Sequence, residues 1–319
     1  MKLKEVSIEI TQQCTNCCVH CSSMSTIAAH CMIPYEKLCS IIDESVELGA
    51  DVVCFSGGEP FLHSDFAKIV EYAYKKGVNT YVYTSGIYFD GNKFTSIPQD
   101  YLVAIKSYVT KIIINYEAAD AETYDKIMGT NFGGFKLMHE SIQKCVSLGY
   151  LVEAHTVPMR LNYLQIPQIV SQCLELGVSR VSFLRLVMQG RSIQNKNLVS
   201  LSDEQLQEAK HLIVECAKIY GDKIRVGIPL SDRVCGINCH AGTSKLNIRY
   251  DGNVYPCEAF KSNCPKTLVS VNPDSIYENS LEHIYKCSSY LNEIRSKIEV
   301  FQNSNSKETC INQYYRENG

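Results

Sequence analysis

Tryptophan is missing altogether, and the aromatic content rests on 20 Tyr and 10 Phe; this carries no functional reading. Other absences exclude more. No apolar run approaches the length of a membrane span, and the opening Met1-Lys-Leu-Lys-Glu-Val6 leads straight into an alternating segment without a signal-peptide hydrophobic stretch. No long basic run exists and the formal net charge is -3, so nucleic acid is not indicated as a general partner. Low-complexity linkers are absent too, so the parts of the chain are expected to pack as one body. Together these features predict a cytoplasmic protein with no membrane partner. At 319 residues it can hold one large domain and a small one.

Cysteine, by contrast, is abundant, with 16 residues in the chain. In a reducing compartment so many thiols are an oxidative liability unless they hold metal. Four of them fall in Cys14-Thr-Asn-Cys17-Cys18-Val-His-Cys21, directly after the alternating run Val6 to Ile10. Packing has no use for four polarizable thiols at a strand end. Zinc normally needs a second ligand pair at a defined distance, which His20 and His30 do not supply. A disulfide cluster is disfavoured without a secretory signal. Taken as Cx3Cx2C, Cys14, Cys18 and Cys21 leave one iron of a 4Fe-4S cluster without a protein ligand, open to substrate or cofactor. Cys17 also permits Cx2Cx3C.

From Val6 to about residue 188 one rhythm repeats: a short β-rich run, a loop, then an amphipathic stretch at helical spacing. Strands are expected at 6–10, 52–56, 80–84, 111–116, 151–157 and 180–187. Helices are expected at 35–48, 64–76, near 99–107, 134–148 and 165–176. Such alternation means parallel strands with covering helices, an α/β class in which chemistry sits at the carboxyl ends of strands. Ser202-Asp-Glu-Gln205 is a capping box opening a helix to about Tyr220, and 223–228 reads as a strand. Further on, Asp251-Gly252 between alternating runs marks a hairpin that brings Cys257 back toward Cys239, and a helix is expected over 281–298. Cys39, Cys54, Cys145, Cys173 and Cys216 sit among apolar residues and read as core; Cys31 has no motif around it. His155, on the fifth strand, reads as a hydrogen-bonded structural histidine.

Phe55-Ser-Gly-Gly-Glu-Pro60 on its own is a tight turn. Following the cysteine triplet, it resembles the GGE-type motif of the radical S-adenosylmethionine (SAM) enzymes. The resemblance implies an open (β/α)6 TIM-like partial barrel. It also implies a unique iron that chelates the amino and carboxylate groups of SAM, and an electron that cleaves SAM to a 5'-deoxyadenosyl radical. Gly57, Gly58, Glu59 and Pro60 would hold the SAM amino group, the glycines admitting the ligand closely. Ser85 stands where the family has Asn and would contact ribose. Asn115 and Glu117 would be pocket groups or helix caps. Arg185-Leu-Val-Met-Gln-Gly-Arg191 is similar to a P-x-G-R loop of the family, with Arg185 or Arg191 binding a carboxylate or forming a surface ion pair.

Cys239-x12-Gly252-x4-Cys257 resembles the half-motif of SPASM and twitch domains, which bind auxiliary 4Fe-4S clusters. The run for a second auxiliary cluster is missing, so the resemblance implies two 4Fe-4S clusters in all. The auxiliary ligands would be Cys235, Cys239, Cys257 and Cys310, with Cys264 the rival for the fourth place. The expected organisation is a partial barrel over 1–195, a bridge over 196–234, and a small C-terminal α+β domain of hairpin and helix over 235–319. The resemblance implies an oxidoreductase served by an external electron donor such as flavodoxin or ferredoxin. Its substrate is expected to be a peptide undergoing crosslinking, epimerisation or oxidation, or else a small molecule undergoing dehydrogenation. Because the chain starts at its first strand, a peptide would need a separate recognition protein or direct capture. A non-catalytic iron-sulfur electron carrier is the alternative of another class, and the triplet with GGEP stands against it.

Overall fold

Eleven strands order the computed structural model, which describes residues 2–227, 230, 239–262, 266–302 and 310–318. They are β1 (Glu5–Thr11), β2 (Val52–Gly57), β3 (Asn79–Thr84), β4 (Ile87–Phe89), β5 (Phe94–Ser96), β6 (Lys111–Asn115), β7 (Val152–Thr156), β8 (Arg180–Phe183), β9 (Ile224–Val226), β10 (Lys245–Ile248) and β11 (Val254–Tyr255). Nine form one sheet in the order β11-β10-β1-β2-β3-β6-β7-β8-β9, and β4 with β5 makes a separate hairpin. All neighbours in the large sheet are parallel except β10 and β11. Helices Tyr35–Glu47, Phe66–Lys75, Gln99–Ile105, Gly134–Ser147 and Ile166–Glu175 connect the parallel strands. The architecture is an α/β partial TIM-like barrel with a small C-terminal part of hairpin and helices.

The strands alternate, yet neither face meets bulk water. On β1, Val6, Ile8 and Ile10 join the helix-side core while Ser7, Glu9 and Thr11 are buried on the other face. The same division runs through β7, with Val152 and Ala154 against Glu153 and His155, and through β10, with Leu246 and Ile248 against Asn247. Period-two patterning therefore sorts apolar residues toward the helices and polar ones into the barrel lumen. Register carries this across strands: Ser7 stands beside Cys54 and Asn247, and Asn115, His155, Ser182 and Arg225 form one row over β6 to β9.

Several elements differ from the sequence reading. β9 is only three residues long and extends the sheet at one edge, while β10 pairs with β1 and extends it at the other. β8 stops at Phe183, well short of 187, because the chain then crosses to the cysteine loop, where the Arg191 N–H donates to Cys21 O at 2.9 Å. The expected helix 281–298 is two helices, Leu281–Cys287 and Ser289–Gln302. Ser288 breaks it in extended geometry, and its hydroxyl accepts from the Leu291 N–H at 3.1 Å. The hairpin β4–β5 and the helix Ala121–Met128 were not anticipated. Both carry local signals: Asp90 takes the N–H groups of Asn92 and Lys93, and Asp120 caps Thr123 at 2.8 Å.

A candidate radical centre at the barrel mouth

The loop after β1 is tied down on three sides. Cys14 N–H donates to Thr26 O at 3.0 Å, while Cys17 and Val19 N–H donate to Met128 and Ile127 carbonyls at 3.1 and 2.8 Å, at the end of the helix Ala121–Met128. Gly129, at φ 66°, closes that helix, and a Cβ there would lie 2.4 Å from Cys17 O. So fixed, Cys14, Cys18 and Cys21 line a cavity of about 450 Å³, whereas Cys17 is exposed and does not. Burial, followed by Glu59 for Cys14 and by the neighbouring thiols for Cys18, pushes both thiols well up. A cation among them offsets the cost of holding Cys14 and Cys18 as buried thiolates, with Cys21 beside them.

Around them, Asn16 Nδ2, His20 Nδ1 and Ser25 Oγ are buried and lack a partner among the described residues. Soft ligands in a shell of unsatisfied polar atoms fit an iron-sulfur cluster. Among the described residues no three His, Cys, Asp or Glu side chains converge as the ligands of one ion do; a cubane distributes its thiolates over separate irons.

Gly57 and Gly58 also line the cavity, but their lack of Cβ serves the chain first. Gly58 N–H donates to Thr11 O at 2.6 Å and Glu59 N–H to Gln13 O at 2.7 Å. A Cβ on Gly58 would fall 1.9 Å from Gln13 O, and one on Gly57 2.3 Å from Thr11 O. The pair is thus the seam that sets the cysteine loop against β2. Gly58→Ala should force that backbone apart at a cost on the order of 3 kcal/mol or more. The expected readout is a melting temperature lower by about 5–10 °C, measured by calorimetry against the wild-type chain.

Glu59 is fully buried and does not face the cavity. It accepts from Thr84 Oγ1 at 2.6 Å, Ser85 N–H at 2.8 Å and Ser85 Oγ at 2.6 Å. Burial raises its pKa to about 7 against these donors. Pro60 opens a buried 3-10 turn, Pro60–Leu62. Ser85 and Asn115 line the cavity, and Asn115 Nδ2 reaches Glu117 Oε1 at 3.4 Å. Glu117 is buried with its pKa raised to about 7 and accepts from Val157 N–H at 2.9 Å. His20 approaches it at 3.7 Å, but burial, then Arg191, pushes His20 down to about 4, so the contact is not an ion pair at neutral pH.

Neither arginine of the 185–191 segment lines the cavity. Arg185 is half-buried and engaged. Arg191 is neither a free carboxylate fork nor a surface ion pair: its Nε donates to Cys18 O and its Nη2 to Ser25 O, both at 2.8 Å. Gly190 permits this, since a Cβ there would meet the Cys21 and Ser22 carbonyls at 2.5 Å. Beside them Gln189 donates to Glu258 O at 2.7 Å and accepts from Ser262 N–H at 3.2 Å. One short segment therefore holds the first cysteine loop and the stretch after Cys257 together.

Sequence reasoning missed the charged lumen. Lys261 reaches Glu9 Oε1 at 2.5 Å and Ser23 Oγ at 3.2 Å; Lys245 lies 2.8 Å from Glu5 and 3.1 Å from Glu258. Burial alone would raise Glu258, but Lys245 outweighs it and holds the carboxyl below its usual range. The only local signal was polar alternation on β1 and β10. Cys54, Cys145, Cys173 and Cys216 are buried core as expected, Cys54 on the face of β2 that it shares with Ser7, and Cys39 is half-buried. His155 departs from its reading. It lines the cavity edge-on to Tyr83, at 5.4 Å between ring centroids, and has no side-chain hydrogen bond among the described residues.

The second cysteine group flanks the hairpin. Burial pushes Cys257 well up, with Glu258, Cys310 and Cys239 adding to it; burial, with Cys310 adding, pushes Cys239 to about 11. Cys310 precedes the helix Ile311–Asn318, which Arg316 ties to Met188 O at 3.1 Å and Ser262 O at 3.0 Å. These three thiols therefore feel one another across a sequence span of 72 positions, counted as 310 less 239 and inclusive of both ends. Cys235 and Cys264 lie outside the described residues.

Residues 8–182 match the model of the Radical SAM superfamily, and residues 239–312 match that of an iron-sulfur cluster-binding domain, SPASM. The first match spans more than half of the chain, which belongs to the radical SAM superfamily. Such a chain binds SAM and a 4Fe-4S cluster in its barrel and further iron-sulfur in its C-terminal part. Among its relatives is a PqqA peptide cyclase of Granulibacter bethesdensis, 23% identical over 289 residues, covering 87% of this chain and 72% of the relative. The mycofactocin maturase MftC of Mycobacterium tuberculosis is 28% identical over 255 residues, covering 78% and 63%. The fold is shared with Streptococcus suis SuiB bound to S-adenosylmethionine, at TM-score 0.73, 15% identity, and 92% and 68% coverage of the two chains. No described helix is long and apolar enough to cross a membrane.

Proposed function

We propose that this protein is a radical SAM oxidoreductase that matures a peptide, with one auxiliary cluster. The observation that carries this reading is a single cavity bounded by Cys14, Cys18 and Cys21, by Gly57 and Gly58, and by the charged lumen that leads toward Cys257. Peptide maturation is favoured because relatives along most of the chain include a peptide cyclase and a maturase. Bound SAM, cleaved reductively, supplies a 5'-deoxyadenosyl radical that takes a hydrogen atom from substrate.

Cys14, Cys18 and Cys21 hold the first cluster; Gly57, Gly58, Ser85 and Asn115 line the SAM site, and Glu59 acts from behind by holding Ser85. Cys239, Cys257 and Cys310, with Cys235 as fourth, hold the auxiliary cluster. The buried walls keep water from a reactive carbon centre. Arg191 acts as a clamp on the cysteine loop, and electrons arrive from a flavodoxin or ferredoxin.

Anaerobically reconstituted protein with dithionite and SAM should release 5'-deoxyadenosine; none above background would sink this reading. Arg191→Met removes two charge-assisted bonds to the loop, each worth about 1.5–3 kcal/mol. It should cut 5'-deoxyadenosine release about tenfold and lower iron retention after gel filtration. Arg191→Lys, lacking the fork, should recover only part of both.

A further inference from the structure

One row of strand residues at the lumen carries hydrogen-bonding capacity that the protein uses only at Asn115, which donates to Glu117. Asn115, His155, Ser182 and Arg225 stand side by side on β6, β7, β8 and β9. Asn115, His155 and Arg225 line the cavity. His155 is 7% exposed and has no side-chain hydrogen bond among the described residues, and Ser182 Oγ is buried without a partner.

Charge accounting sets Arg225 apart. Lys245 is matched by Glu5 and Glu258, Lys261 by Glu9, and Lys111 by Glu153 at 2.8 Å, with Arg180 3.7 Å from the same Glu153. Arg225, exposed where β9 edges the sheet, lines the cavity with no ion pair or hydrogen bond found among the described residues. The surroundings of His155 report the resulting field. Burial first, then Arg225, Lys111 and Lys245, push its pKa down to about 3, with only Glu258 opposing. The ring is therefore neutral at working pH and free to donate one N–H.

We infer that Arg225, assisted by His155, is a carboxylate-binding subsite, and that the peptide substrate presents an acidic side chain or its C-terminal carboxylate there. This rests on the peptide-maturase reading above. A planar guanidinium fork matches a carboxylate in two parallel bonds, and a neutral imidazole N–H adds a third donor. SAM carries a carboxylate too, but its methionine end belongs with the cysteine loop after β1, and β9 is the far edge of the sheet. The group held by Arg225 is thus the substrate's own.

The probes are acetyl-Ala-Glu-Ala-amide and acetyl-Ala-Gln-Ala-amide, titrated into reconstituted holoenzyme with SAM present and no reductant, so that SAM stays intact. Binding is read as broadening of the probe side-chain proton resonances. Wild type should bind the acid about tenfold more tightly than the amide. Arg225→Gln should abolish that preference, and Arg225→Lys should keep about threefold of it. Equal affinities in wild type, or a preference that survives Arg225→Gln, overturns the subsite. SAM affinity is measured in parallel by equilibrium dialysis: a loss on Arg225→Gln as large as that for the acidic probe assigns the cation to the cofactor and also overturns it. Failure to release any 5'-deoxyadenosine would sink the maturase reading instead, and is distinguishable from each of these results.

Discussion

Cys18→Ala is expected to bring 5'-deoxyadenosine formation down at least about a hundredfold, to the level seen without SAM. A site-differentiated cubane needs all three protein thiolates, because its fourth iron is committed to the cofactor. Removing Cys18 leaves two ligands and a cluster that falls apart or never assembles. The position is unforgiving because Cys18 lies between Arg191, which holds its carbonyl, and Met128, whose sulfur is 3.7 Å from its thiol. Its exposed neighbour Cys17 faces away from the cavity and supplies an internal control. Cys17→Ala should keep iron near the wild-type value of about eight per chain, while Cys18→Ala should fall to about four. Wild-type activity in Cys18→Ala together with loss in Cys17→Ala would reverse the assignment between the two registers of the motif.

The parts of this site that were legible in the sequence are those whose chemistry is local. Four thiols within eight residues announce a metal wherever they sit, and Asp251-Gly252 announces a hairpin because the turn is set by those residues alone. The strand and helix rhythm was readable because apolar periodicity is fixed by the helix-side core, and that core is contiguous. What stayed hidden depends on partners distant in the chain. Glu9 alternates with Ile8 and Ile10, and nothing local tells whether its face meets solvent or a lumen. Only barrel closure turns that face inward, and only the C-terminal part supplies Lys261, 252 positions away. Gly58 read as freedom for a ligand, whereas the space is filled by the Gln13 carbonyl. Arg191 read as a carboxylate fork, since nothing local shows that its acceptors are backbone carbonyls near residue 20. His155 read as structural because most buried histidines find a hydrogen bond, and this one faces an open cavity instead.

Cys257→Ala should separate the two centres. Cys257 sits at the end of the hairpin strand β11, within the electrostatic reach of Cys239 and Cys310, and its removal should drop iron from about eight to about four per chain. The first cysteine loop keeps its contacts with Met128, Thr26 and Arg191, none of which involves Cys257. Cleavage of SAM should therefore fall by no more than about threefold, while formation of modified peptide falls by at least about fiftyfold. The asymmetry follows from the oxidative maturation proposed above, in which a substrate radical would have to lose one electron and a proton. Cys239, Cys257 and Cys310 would hold the cluster that supplies an electron acceptor, and Glu258, which directly follows Cys257 and lies 3.1 Å from Lys245, would take the proton. Without that acceptor SAM would be consumed without product. Mass spectrometry of the peptide beside chromatography of 5'-deoxyadenosine gives the ratio directly, and an unchanged ratio with iron still near eight would remove Cys257 from the ligand set.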